Sequence, residues 1–143
     1  MGRVFISGGK GGLARAVAAH FSAAGWAVDA PSRAELDVGD CSAVEEWFAG
    51  RPAYDLAVCA AGVTKDRPFL KQTEDEWDAV MGVNARGAAW CARCAAAGML
   101  REGREGQVVM IGSYAAYRPA PSQAAYAASK SALEGLVKSL ARE

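Results

Sequence analysis

Three observations predict an α/β fold built on a doubly wound parallel sheet. Short β-rich apolar runs alternate with helical patterns along the whole chain. The first run, Arg3 to Ser7, leads into the glycine cluster Gly8-Gly9-Lys10-Gly11-Gly12 and then a helical pattern. The run Asp55 to Ala60 is apolar after its first residue, as expected for a parallel strand covered on both faces.

The elements follow in order. The first helix extends through Ala24 and is closed by Gly25. Trp26 to Ala30 reads as a second strand with Pro31-Ser32-Arg33 as its exit, and Ala34 to Val38 as a third strand reached with almost no connection. Ser42-Ala43-Val44-Glu45 has capping-box spacing and opens a short helix through Phe48, ended by Gly50 and Pro52. Asp55 to Ala60 is the fourth strand. Thr73-Glu74-Asp75-Glu76 caps a helix running through Trp77, Val80 and Val83 to about Leu100; Gln107 to Ile111 is the fifth strand, and Tyr126 to Glu143 the closing helix. There is no internal repeat or linker, so the 143 residues are expected to form one domain with a substantial core.

Lys plus Arg equals Asp plus Glu at 16 each, so no global field points to nucleic acid or to an anionic membrane. No apolar run reaches membrane-spanning length, the N-terminal run is too short for a signal peptide, and Ile6 occupies the Ser/Thr position of a myristoylation site. A cytoplasmic location is the expectation. Cys41, Cys59, Cys91 and Cys94 include a lone C-x-x-C without a second ligand pair, and the single histidine, His20, lies far off, so no metal site is expected. The C-x-x-C pair lies in an alanine-rich helical segment and reads as small buried side chains filling tight helix contacts, with a redox motif as the alternative.

Two stretches carry candidate chemistry. A glycine turn between a strand and a helix exposes N–H groups at the helix N-terminus, where the dipole favours an anion, although a plain tight turn needs the same residues. Tyr126 and Lys130 lie four apart, on one face of a helix about a turn from each other. An ammonium beside a phenol favours the phenolate and makes a proton donor usable near neutral pH. An ordinary amphipathic helix would show the same pair by chance.

Taken together, these motifs resemble the short-chain dehydrogenase/reductase family. The family's TGxxxGxG fingerprint is matched by Ser7-Gly8-Gly9-Lys10-Gly11-Gly12-Leu13-Ala14, with Ser7 keeping a hydroxyl and Ala14 adding a methyl. Its acidic-apolar adenine contact is matched by Asp37-Val38, and its Asn-Asn-Ala-Gly motif is reduced to Cys59-Ala60-Ala61-Gly62, which removes two side-chain amides. The family's tetrad falls on Asn84, Ser113, Tyr126 and Lys130. Within the family the resemblance is closest to the 3-oxoacyl-[acyl carrier protein] reductases, through Ala61 to Asp66, Glu76 to Val80 leading to Val83-Asn84, Ile111-Gly112-Ser113, and Gln123 through Lys130 to Glu143.

The resemblance implies a Rossmann-type sheet of five strands in order 3-2-1-4-5, lacking the family's last strands. It also implies a reductase in which NADPH gives hydride to a ketone, with a 3-oxoacyl thioester as the expected substrate and another small ketone, sugar or alcohol as the alternative. Tyr126 would donate the proton, Ser113 polarise the carbonyl, and Lys130 bind the nicotinamide ribose and tune Tyr126. Asn84 would interrupt its helix and anchor a relay water. Ser113 as a strand-end cap and Asn84 as a helix cap are the plain alternatives. Cofactor contacts are carried onto Ser7, Gly8, Lys10, Gly12, Leu13, Ser32, Arg33, Asp37, Val38, Ala60, Ala61, Gly62, Tyr126 and Lys130. The position that is acidic in NAD-preferring members falls on Ser32, and Arg33 beside it suits a 2′-phosphate, so NADP(H) is favoured over NAD(H); Arg33 as a solvated loop residue is the alternative. An acyl carrier protein as partner and a homo-oligomer, tetramer or dimer, follow from the family; Arg101 and Arg104 either face such a carrier or simply end a helix in water.

The chain stops at Glu143 inside a helix whose apolar positions Leu133, Leu136, Val137 and Leu140 are still in phase. A truncated piece of a longer reductase is therefore expected, with a non-catalytic dinucleotide-binding module as the rival. Either way the fifth strand would leave a sheet edge unpaired.

Overall fold

The structure, a computed structural model, describes residues 2–143. Four parallel strands form one sheet in the order β2-β1-β3-β4. They are β1 (Arg3–Ile6), β2 (Ala27–Asp29), β3 (Leu56–Cys59) and β4 (Gln107–Met110). Register places Val4 beside both Val28 and Leu56, and Val58 beside Val109.

Side-chain alternation along the strands builds two cores. Phe5, Ala57 and Cys59 point to one face, where they pack with Val44, Phe48, Tyr54, Cys91 and Leu133. Val4, Ile6, Leu56 and Val58 point to the other, against Ala14, Val17 and Phe21. The second group belongs to α1 (Gly12–Ala23); α2 (Cys41–Ala49), α4 (Ala88–Arg101) and α5 (Ala124–Leu140) cover the first face. Gly25 closes α1 at φ +79°, a conformation that costs glycine little. Between α3 (Glu74–Met81) and α4 the helix is interrupted by a π-helical stretch, Gly82–Gly87, centred near Asn84. The Thr73 capping box of α3 is present, with Thr73 accepting from the Glu76 amide at 3.2 Å and the Glu76 carboxylate accepting from the Thr73 amide at 3.1 Å.

Three boundaries differ from those predicted. Ala34 to Val38 is not a strand, so β2 is the sheet edge and the order has no strand beyond it. The backbone donors there are spent locally: the Glu35 and Leu36 amides donate to the Ser32 carbonyl at 3.0 and 2.9 Å, and the Ser32 amide to the Glu35 carboxylate at 2.8 Å. Leu36 and Val38 are nonetheless buried, which is the alternation that suggested a strand. Helix α2 is capped by Asp40, whose Oδ1 accepts from the Ser42 and Ala43 amides at 2.9 and 3.2 Å, rather than by Ser42. Helix α5 begins at Ala124, two residues before Tyr126.

Strand β4 has one neighbour among the described residues, and Val109 on it is 40% exposed. The C-x-x-C lies within α4: Cys91 is fully buried against Cys59, whose sulfur, together with burial, pushes the Cys91 thiol far above its usual range. Among the described residues no helix is long and apolar enough to cross a membrane.

Candidate active site

The carboxyl ends of β1, β3 and β4 bring the predicted residues to one edge of the sheet. Ser7, at the exit of β1, is buried, and its Oγ accepts from the Ala60 and Ala61 amides, both at 3.0 Å. This hydroxyl therefore braces β1 to β3, and Ala60 and Ala61 enter the site through their backbone. Gly8 adopts φ +75°, and a Cβ there would sit 2.9 Å from the Ala61 Cα. Gly9, which the motif reading left without a role, is held most tightly: a Cβ would lie 1.9 Å from the Ala30 carbonyl oxygen.

Past these, the turn opens. Gly11 caps α1 with no side-chain hydrogen bond, so the first-turn amides of Gly12, Leu13 and Ala14 have no partner within the helix. Nothing stands within 4 Å of a Cβ built on Gly12, and Lys10 and Leu13 are exposed at the rim. An open cradle of unpaired N–H groups at a helix N-terminus fits a pyrophosphate.

Beyond β2, the residues meant to select the cofactor engage one another. Arg33 Nε donates to Asp37 Oδ2 at 3.1 Å, and Asp37 Oδ1 accepts from the Gly39 amide at 2.9 Å. Ser32 is buried, with its hydroxyl donating to Glu35 Oε2 at 2.7 Å. That bond, then the Ser32 amide, and further off the charge of Lys10, hold the Glu35 carboxyl below its usual range. A cavity of about 610 Å³ opens beside Asp37, lined among others by Arg33, Val63, Lys65, Val83 and Arg86. Val38 is buried beside the π-helical stretch, where a Cβ on Gly87 would meet the Val38 carbonyl at 2.6 Å.

Asn84 and Lys130 converge on Gly62, and Tyr126 lies beside Lys130. A Cβ at Gly62 would lie 3.5 Å from Asn84 Oδ1 and 3.8 Å from Lys130 Nζ. Lys130 Nζ donates to the Ile111 carbonyl at 2.7 Å and stands 5.8 Å from the centre of the Tyr126 ring. The residue is only 5% exposed, and burial holds its ammonium below the usual lysine value. Asn84 is fully buried; its Oδ1 accepts from the Val63 amide at 2.8 Å, and its Nδ2 donates to the Val63 carbonyl at 2.9 Å and to Ser129 Oγ at 3.0 Å. Both amide hydrogens are thus committed to protein. Ser113, two residues beyond Ile111, accepts from the Ala115 amide at 3.1 Å and caps a single 3₁₀ turn, Tyr114–Ala116, leaving its own hydrogen to donate.

The motifs assigned no role to Ser129, Glu35 or Gly9. Ser129 is fully buried, and a small polar residue three positions after Tyr126 on the same helix face was the available signal.

A parallel α/β sheet with an open glycine turn after β1 and a Tyr-Lys pair on α5 is an arrangement of the Rossmann type. Comparison with known proteins agrees: residues 32–143 match the model of the short chain dehydrogenase family, and the chain belongs to that family. It is 32% identical to the short-chain dehydrogenase/reductase prx4 of Penicillium rubens, over 96% of this chain and 48% of that protein. It is 30% identical to the 3-oxoacyl-[acyl-carrier-protein] reductase MabA of Mycobacterium bovis, over 98% of this chain and 62% of that one. A 4-hydroxyisoleucine dehydrogenase solved with NADH superposes with a TM-score of 0.94 at 26% identity, covering 99% of this chain and 69% of that one. The chain spans about half the length of the first curated relatives it matches.

Proposed function

We propose that this chain carries the dinucleotide site and the proton-transfer residues of a ketone reductase. The observation that supports this best is the Lys130 ammonium, 5% exposed, hydrogen-bonded to the Ile111 carbonyl and 5.8 Å from the Tyr126 ring. A buried cation with one carbonyl partner is costly as a structural device, which supports a functional reason for its place beside the phenol.

The residues present fit a nicotinamide dinucleotide. Gly8, Gly12 and Leu13 would take its pyrophosphate, with Lys10 adding charge at the rim; Ser7, Ala60, Ala61 and Gly62 shape the wall beside it. Asp37, Val38 and the adjoining cavity would receive the adenine. The bound dinucleotide supplies the hydride. Tyr126 then gives its proton to the developing alkoxide, while the Ser113 hydroxyl donates to the same oxygen and holds the carbonyl in place. Lys130 stands beside Tyr126 and would hold the ribose hydroxyls. Asn84, through its bonds to Val63, keeps the strand exit and the π-helical stretch together beneath them.

NADP(H) is the favoured cofactor in this proposal, because Arg33 lies in the loop that follows β2 and its pair with Asp37 is exposed and readily opened. The substrate class we propose is a 3-oxoacyl thioester, supported by the stretch Ala61 to Asp66 and by the likeness to MabA; an acyl carrier protein as carrier and assembly as a homo-oligomer through α4 and α5 belong to the same proposal. The test is NADPH oxidation dependent on a 3-oxoacyl thioester, measured on the protein carrying this chain and on its Tyr126→Phe variant. Tyr126→Phe should abolish turnover and leave dinucleotide binding intact. Turnover that survives the substitution would overturn the proposal, and binding without turnover in the unaltered protein would favour a non-catalytic module.

A further inference from the structure

The hydroxyl of Ser129 stands between the two helical stretches that carry the site. Resting on the reductase proposal, we infer that Ser129 is a positioning residue, passing the setting of Asn84 to the turn of α5 that bears Tyr126 and Lys130. It is fully buried. Its Oγ accepts from Asn84 Nδ2 at 3.0 Å and donates to the Tyr126 carbonyl at 2.7 Å.

The direction of both bonds follows from chemistry. Asn84 Oδ1 takes the Val63 amide and Nδ2 gives to the Val63 carbonyl, so turning the amide over would set donor against donor. Nδ2 can only donate, so Ser129 must accept, and its single hydrogen is left for Tyr126.

A serine bonding back to its own helix is commonplace. The acceptor is what matters here. In an α-helix the carbonyl of residue 126 also receives the amide of residue 130. The Ser129 hydroxyl therefore acts on the peptide oxygen that joins the turn of Tyr126 to that of Lys130. At its other end it is tied to the π-helical stretch, and through Asn84 to Val63 at the exit of β3. Lys130 must reach the Ile111 carbonyl at 2.7 Å from within this helix, so small rotations of α5 change where its ammonium lies relative to the phenol.

The experiment compares Ser129→Ala, the near-isosteric Ser129→Cys and Tyr126→Phe with the unaltered protein carrying this chain. Measured are kcat and KM for ketone reduction across pH, dinucleotide affinity, and amide hydrogen exchange. Ser129→Ala should lower kcat about tenfold, the equivalent of one lost hydrogen bond, and displace the kcat–pH profile, with KM and dinucleotide affinity within about threefold. Exchange should quicken at residues 127–130 and stay unchanged in α4. Ser129→Cys should lie between. Wild-type kcat and pH profile in Ser129→Ala, or in Ser129→Cys if the alanine variant does not fold, overturn the inference while Tyr126→Phe is inactive. Turnover retained in Tyr126→Phe instead overturns the reductase proposal itself.

Discussion

Arg33 and Asp37 form an ion pair beside the cavity at the end of β2, Arg33 Nη2 lying 3.1 Å from Asp37 Oδ2. Arg33 is 77% exposed, so the pair is worth little and can open for a ligand. If Arg33 binds a 2′-phosphate, Arg33→Ala should weaken NADPH about tenfold or more, the range for a lost charge-assisted bond, and leave NADH within about threefold. Fluorescence titration with both dinucleotides measures this. Equal losses for the two would remove Arg33 from cofactor choice.

Glycines of the first turn divide by what surrounds them. A Cβ on Gly9 would fall 1.9 Å from the Ala30 oxygen, whereas one on Gly12 meets nothing within 4 Å. Gly9→Ala must shift backbone and should cost about 3 kcal/mol or more of stability, at the severe end for a point substitution. If the turn holds the pyrophosphate as proposed, Gly12→Ala should melt like the unaltered protein yet bind dinucleotide weakly, because its methyl would enter that cradle. Thermal melts paired with titrations separate the two.

Lys130 makes stability depend on alkaline pH. Burial holds its folded value below the ordinary 10.5. Below the folded value the buried ammonium carries a desolvation cost; as pH rises through it toward 10.5 the folded lysine loses its charge while the unfolded one keeps it, and the cost fades. Lys130→Met should therefore be at least as stable as the unaltered protein at neutral pH, with its advantage shrinking above that. Denaturant unfolding at several pH values tests the slope, and turnover of the variant should be lost.

Tyr54 makes the opposite contribution. Burial, then its bond to the Asp29 carboxylate at 2.8 Å, push the phenol up to about 12. Below pH 10 its stabilising contribution is complete; from 10 to about 12 the unfolded chain gives up the proton while the folded one cannot, and stability falls. Tyr54→Phe should cost about 1 kcal/mol at neutral pH, because one hydrogen bond is lost while Arg3 stays on Asp29. It should also flatten the alkaline loss, which chemical denaturation across that window would show.

Much of the fold was legible in the chain because it rests on local pattern. Strands β1, β3 and β4 lie within a residue or two of the predicted runs, and the Thr73 capping box closes as its spacing requires. The segment from Ala34 to Val38 was misread for a physical reason. Alternating burial of Leu36 and Val38 satisfies the core equally from a ladder or from a turn, and the choice lies in backbone hydrogen bonds, which Ser32 and Glu35 claim. The site divides the same way. The four-residue step from Tyr126 to Lys130 is a property of helices, whereas the pairing of Arg33 with Asp37 is a choice of partner that separate motif assignments do not reveal.

The sequence by itself determined the periodicities, the glycine turn and the helix spacing that puts a phenol and an ammonium on one face, since each depends on bonds within a few residues. Only the tertiary structure decided how the polar groups are spent. Ser7 braces Ala60 and Ala61, Asn84 gives both amide hydrogens to Val63 and Ser129, and Lys130 reaches the Ile111 carbonyl. Those partners lie 19 to 54 residues apart along the chain, and burial requires that each be satisfied by whatever the packed elements bring within reach.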